Sequence, residues 1–406
     1  MSQRYQGGIL GVGFNPLQAP NAPTIGTATA GNASATVAFT APTCVGGSAI
    51  TGYTARSDPT GYSGVAAGSP ITVSGLSNGT PYTFGVFALN TYGPSPISAF
   101  SNSVTPVPSE TFAIFALGRN ACSTALTTRN KYTYSGDAVS AGGAATVASR
   151  AGSAAGNSTT GIFALGVGAS FPVITTRNKY TYSGCVVSAG GAATVASYQG
   201  AATGNSTVGI FALGCAGGAS TTRDKYTYSG CVVSAGGAAT VASSLGSAAG
   251  NSTVGIFALG YAAGSPSPPA SATRNKYTYS GDVVSAGGAA TACSGRGAAT
   301  GTSTVGIFQL GFASSVGGNV STRNKYTYSS DVVSAGTAAT ATNNSGSAAG
   351  NSTVGIFALG NGACNAAVTT RNKYTYSGDV VAAGGTATVA STCGSAASDG
   401  TSGVNM

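Results

Sequence analysis

The chain has 406 residues and a formal charge of +9, yet only 6% of its residues are charged, and it contains no His, no Trp and 64 Gly. That length allows two or three domains and a sizeable buried core. Sparse charge with abundant Gly would suit a disordered chain, but 42% hydrophobic residues and 19 Tyr exclude disorder and point to β structure with many tight turns.

The same totals limit chemistry. Without His there is no Ser-His or Cys-His nucleophile, and a zinc site would need four thiolates from eight Cys that show no CxxC spacing. Five of the eight acidic residues (Asp137, Asp224, Asp282, Asp331 and Asp379) belong to repeated phrases, and no pair stands out as an acid–base couple. The expectation is a protein that is not an enzyme and carries no cofactor. Nucleic acid is not expected as a partner either: 12 of the 17 basic residues are an Arg and a Lys in each copy of one phrase, never a basic run.

In chain order, residues 1–18 form a Gly-rich leader, MSQRYQGGILGVGFNP followed by Leu-Gln, without the apolar run of a secretory signal. No later stretch is apolar for long enough to span a membrane, so synthesis in a cytoplasm without a signal peptide is expected. Residues 19–107 have Pro at both margins. Between them ATVAFTAP, ITGYTAR, SPITVSGL and PYTFGVFALN read as short strands separated by turn residues.

These residues resemble a fibronectin type III domain. Leu76-Ser-Asn-Gly-Thr-Pro-Tyr82 is similar to the tyrosine corner of that sandwich, followed by Phe84, Val86, Ala88, Asn90 and Gly93 in its strand pattern. Phe39 stands where that family usually has Trp. The resemblance implies a spacer or adhesion module and no specific activity.

Residues 108–406 contain six repeats. IFALG or IFQLG begins at Ile114, Ile162, Ile210, Ile256, Ile307 and Ile356, roughly 48 residues apart. In the third copy, Val208, Ile210 and Ala212 share one face while Phe211 and Leu213 share the other, so this strand must be covered on both sides. TTRDKYTYSG follows, with Arg223, Lys225 and Thr227 on one face and Asp224, Tyr226 and Tyr228 on the other. A two-residue Ser-Gly link then predicts a hairpin to CVVSAGG. The small residues of ATVASSLGSAAGN suit a strand crowded against its copies around an axis.

Four short strands repeated six times fit a β-propeller, with a β-solenoid as the rival architecture. The order of an apolar strand ending in Gly, a Tyr-bearing strand and a strand ending in Gly-Gly resembles Kelch repeats across residues 112–406. The usual Gly-Gly after the apolar strand is a single Gly here, and Val stands nearest the absent Trp. Kelch-type oxidases hold copper partly through His, which this chain lacks. The expected fold is all-β: a fibronectin type III-like β-sandwich plus a six-bladed β-propeller.

Closing such a ring would bring the segment from Thr386 into the blade begun by FAIFALG. Cys122 and Cys364, equivalent positions in the first and sixth repeats, would then be neighbours and form a disulfide; Cys185 and Cys231 are a weaker candidate pair.

Comparing the six copies with each other separates fixed from variable. The GNST turn and the Tyr-Ser-Gly-Asp hairpin are nearly constant, and GNST reads as a turn rather than a glycosylation site. The loop after IFALG and the residue pair after the ATVAS run differ in every copy. Antiparallel order puts both variable connections on one face. A ligand would meet Arg119, Phe171, Tyr198, Gln199, Tyr261, Arg296, Phe312 and Asn344 there. Six Arg-Lys pairs could make that rim positive; the alternative is that they cover the frame and bond loop carbonyls.

The combination resembles appendage proteins of tailed bacteriophages. It implies a structural virion component, docked through residues 1–18 on other virion proteins with the propeller outward. The alternatives are a receptor-binding adhesin for a host-surface glycan and a bacterial surface protein. Whether the chain is a homo-oligomer is left open.

Overall fold

Strands that are apolar on both faces need a neighbouring sheet on each side, and a closed ring of sheets provides this without an end sheet left bare. The structure, a computed structural model, describes residues 18–106, 111–170, 172–215, 217–262, 270–362 and 366–399. The chain divides into two compact units, Met1–Ser109 and Glu110–Met406. Both are β-structured.

In the first unit Thr24–Gly31, Ser34–Thr40 and Ile71–Ser74 form a three-stranded sheet. Ser63–Ala66, Gly52–Asp58, Thr83–Asn90 and Gly93–Pro94 form a four-stranded one. Alternate residues of both sheets, including Val37, Ala55, Val73, Phe84 and Val86, are fully buried in one core. The Tyr82 hydroxyl lies in that core's wall and accepts the Ser77 N–H at 3.3 Å.

One edge of this sheet is closed in a way the strand pattern does not announce. Ser95, Ser98 and Ser101 donate their N–H groups to Ala88, Val86 and Phe84 at 2.8–2.9 Å. Their hydroxyls accept the N–H groups of the same three residues at 2.9, 2.9 and 3.1 Å. A spacing of three replaces the strand period of two, and the serine hydroxyl supplies the missing acceptor.

Among the described residues of the second unit are six four-stranded antiparallel sheets, compatible with a propeller-like arrangement. In the third, Ala201–Gly204 is innermost, followed by Val208–Ala212, Arg223–Thr227 and the outer Val232–Ala235. The first sheet draws on both ends of the unit: Ser395–Ser398 pairs with Phe112–Ala116, Ser395 opposite Ala116 and Ser398 opposite Ala113. Innermost strands contact one another in sequence, and Ser395–Ser398 meets those of both the second and the sixth sheet, so the circuit closes.

Six apolar clusters straddle the six junctions. Phe112 and Ile114 of the first sheet pack on Phe163, Leu165 and Tyr180 of the second, and Val208 and Ile210 of the third on Phe257 and Leu259 of the fourth. Burying each such Phe or Leu stabilises by roughly 1.5–3 kcal/mol. The inner strands are made of Ala, Gly, Ser and Thr because their faces abut: a Cβ on Gly250 would lie 2.7 Å from the Thr203 hydroxyl oxygen of the preceding sheet's inner strand.

The predicted two-residue hairpin is four residues long. Thr181 pairs with Val186, and Tyr182–Gly184 forms a single 3-10 turn that leaves the ladder to bury the Tyr182 ring. The residue after Ser-Gly or Ser-Ser takes a left-handed conformation, with φ of 50–55° at Asp137, Cys185, Cys231, Asp282, Asp331 and Asp379. Asp tolerates that conformation better than most residues, which helps explain its place there.

Candidate functional site

The repeated phrase fixes the frame. Arg129, Arg177, Arg223, Arg274, Arg323 and Arg371 are all at most 1% exposed. Each guanidinium lies over a Phe of the next sheet, from Arg129 on Phe163 at 4.7 Å to Arg371 on Phe115 at 4.6 Å. Each also donates to the next sheet's Asn or Asp: Arg129 to Asn178, Arg177 to Asp224, Arg223 to Asn275, Arg274 to Asn324, Arg323 to Asn372 and Arg371 to Asn130. Glycine, alanine or threonine carbonyls such as those of Gly143 and Gly237 accept a second donor. Burial pulls Arg129, Arg223, Arg274, Arg323 and Arg371 down to about 10. These arginines therefore form no positive rim; they are the frame, as the second reading of the phrase had it.

The lysines join sheets further out. Lys225, Lys276, Lys325 and Lys373 pair at 2.9–3.1 Å with Asp282, Asp331, Asp379 and Asp137 of the following sheet. At the remaining two junctions Cys replaces Asp. Lys179 Nζ lies 3.8 Å from Cys231 Sγ, and Lys131 Nζ sits 4.1 Å over the Phe112 ring. Cys185 and Cys231 are free thiols, which corrects their candidate pairing: they stand in the aspartate positions of successive sheets, each beneath its own tyrosine. Cys122 is exposed, and Cys364 lies outside the described residues.

GNST is a turn built on its own side chain. Asn205 Oδ1 accepts from the Thr207 N–H, the Thr207 hydroxyl and the Val208 N–H, each at 2.9 Å, while its amide donates to the Ser252 carbonyl of the next sheet. Thr302 performs the accepting part in the fourth copy, which lacks Asn.

The opposite face, which carries the variable connections, is organised by a second closed circuit. Ala151, Gln199, Leu245, Arg296, Ser345 and Cys393 all have φ of 54–58°. Each donates its N–H to the carbonyl of the one before, Ala151 to Cys393 at 2.8 Å, Gln199 to Ala151 at 2.7 Å, and so on round to Cys393 onto Ser345 at 2.8 Å. Six backbone hydrogen bonds thus encircle the axis, independent of side-chain identity, which explains why these positions vary freely. Each preceding residue pairs with the residue after the IFALG glycine: Arg150 with Val167, Gly295 with Phe312, Thr392 with Arg119.

This circuit surrounds a cavity of about 410 Å³ at the axial mouth. Of the sequence-predicted residues, Arg119, Tyr198, Gln199 and Arg296 line it. Asn344 faces inward: it is 1% exposed and donates to Asn319 Oδ1 at 2.6 Å. Tyr261 and Phe312 are half-buried outside the lining, the Tyr261 ring covering Gly295. Phe171 lies outside the described residues. Arg150, Leu245, Asn361 and Cys393 also line the cavity. Arg150, Leu245 and Cys393 belong to the variable pairs, so the signal was present; Asn361 follows the sixth IFALG glycine, in the variable loop.

Among the described residues no three Cys, Asp or Glu side chains gather as a metal site requires. No family model matches the chain, and no curated protein matches it significantly.

Proposed function

We propose that this chain is a non-enzymatic display protein of a tailed bacteriophage particle, a fibronectin type III-like sandwich carrying a six-bladed, Kelch-like propeller. One contrast carries the reading. A buried Arg–Phe contact is repeated at all six junctions, with an Arg–Asn hydrogen bond at five and Arg–Asp at the sixth, while the axial mouth differs in every sheet. A frame that spends its charges on internal contacts suits a protein working outside cells, and diversified residues on a rigid support suit recognition. Residues 1–18 dock on other virion proteins in this scheme. Antibody labelling of purified particles tests it: the chain should be present at fixed copy number and remain attached when residues 108–406 are deleted. Recovery only from a cell-surface fraction without particles would sink it and favour a bacterial surface protein.

The cavity at the mouth favours a second reading, in which the same appendage is a receptor-binding adhesin for a host-surface glycan. Soluble chain should then compete with particles for adsorption to host cells, and undiminished adsorption at saturating chain would remove the adhesin role.

A further inference from the structure

The distribution of positive charge in the second unit is selective. Of 17 basic residues in the chain, Arg4 and Arg56 precede this unit and twelve belong to the repeated phrase; the remaining three are Arg119, Arg150 and Arg296. Two come from the first copy and one from the fourth, at positions where the other copies carry uncharged residues. All three line the axial cavity. Among the described residues, no carboxylate lines it. The aspartates of the hairpins lie on the other face, and those at 137, 282, 331 and 379 are paired with lysine.

The backbone around the mouth contributes little to recognition, because the encircling N–H groups already donate to one another. Side chains must therefore select the ligand, and among the described residues the only charged ones lining the cavity are arginines. Arginine's planar fork matches a carboxylate or phosphate bidentately. Beside it Tyr198 offers an aromatic ring, Gln199 an amide and Leu245 an apolar surface. A ring-shaped ligand with hydroxyls and one oxyanion uses all of these groups, whereas an inorganic anion uses only the guanidinium groups. The cavity volume of 410 Å³ falls within the range of small-ligand pockets, roughly 300–1,000 Å³.

We propose that the axial cavity binds an acidic sugar residue, its carboxylate held by Arg119, Arg150 and Arg296 and its ring against Tyr198. This rests on the recognition reading above and names its ligand class. The site requires no chemical step.

The test is titration of the full-length chain with glucuronic acid, glucose and inorganic phosphate, followed by saturation-transfer NMR and competition. Glucuronic acid should bind about tenfold or more tightly than glucose, and more tightly than phosphate, which cannot use Tyr198 or Gln199. Arg296→Gln, at an exposed position, should weaken glucuronic acid about tenfold while the thermal midpoint stays unchanged, and the triple Arg119→Gln/Arg150→Gln/Arg296→Gln variant should abolish the preference over glucose. Equal binding of glucose, phosphate binding as tightly as glucuronic acid, no binding of any of the three, or an unaffected triple variant each overturns the proposal. Adsorption competition by the soluble chain is scored separately. Competition that persists without any acid preference defeats the ligand class and leaves the recognition reading standing.

Discussion

Arg177 and Asp224 form a fully buried ion pair, 2.7 Å apart and with both side chains 0% exposed, at the junction between the second and third sheets. Each of the other five junctions joins the same arginine to an asparagine. Thr194 adapts to the difference: its hydroxyl donates to Asp224 Oδ1, whereas Thr146, Thr240, Thr291, Thr340 and Thr388 accept from the asparagine amide. Burial lowers the Arg177 guanidinium, and the hydrogen bond to Asp224 opposes that shift.

Asp224→Asn should therefore be tolerated, because it recreates the hydrogen-bonded junction seen five times. Urea unfolding should place it within about 1 kcal/mol of the wild type, since desolvation offsets most of a buried pair's attraction. Asp224→Ala should lose about 3–5 kcal/mol, as it strands Arg177 and leaves the Thr194 hydroxyl without its acceptor. Equal losses for both variants would contradict this account.

The two cysteine positions are gaps in the lysine–aspartate girdle. Cys185→Asp combined with Cys231→Asp should complete it, adding about 0.2–1 kcal/mol per pair. The gain should shrink in 1 M salt, because these pairs are partly exposed. A salt-independent change in thermal midpoint would point to packing rather than charge.

Asp399 links the ends of the second unit, accepting the Phe112 N–H at 2.7 Å. Burial raises its carboxyl to about 6, against 3.8 ordinarily. A raised folded value means the associated stability is complete below about 3.8 and lost as pH rises through about 6. Asp282 and Asp331 are shifted down: burial pulls them up but is outweighed by the tyrosine and lysine hydrogen bonds. Their contribution is present above 3.8 and lost as pH falls further, in a separate window. Wild type should thus melt higher at pH 5 than at pH 7.5, and Asp399→Asn should flatten that difference while keeping an acceptor for Phe112. An unchanged pH profile in the variant would count against Asp399.

Gly214 has φ of 69°, and a Cβ there would lie 2.5 Å from the carbonyl oxygens of Tyr198 and Gln199. Gly214→Ala should cost about 1–3 kcal/mol from the backbone conformation, with the collision added. Calorimetry should show the loss, and a neutral result would mean that the mouth is less tightly held than the hydrogen-bonded circuit implies.

The sequence alone set the local plan. Period-two alternation assigned Ile210 and Phe211 to opposite faces, and internal comparison of six copies separated the constant turns from the variable mouth. It also put Tyr198, Gln199 and Arg296 on the face where the cavity lies. It could not decide which side chains at that face point inward. Asn344 is buried against Asn319, and Arg150 lines the cavity although it was not among the candidates. Nor could it decide what the repeated arginines do. A guanidinium reads as a surface charge until a Phe and an Asn from the next sheet, roughly 50 residues away, are seen to enclose it. Local pattern follows from covalent geometry and polarity within one strand. The encircling hydrogen bonds, the buried arginines and the mouth arise from contacts between sheets, and those exist only once the ring has closed.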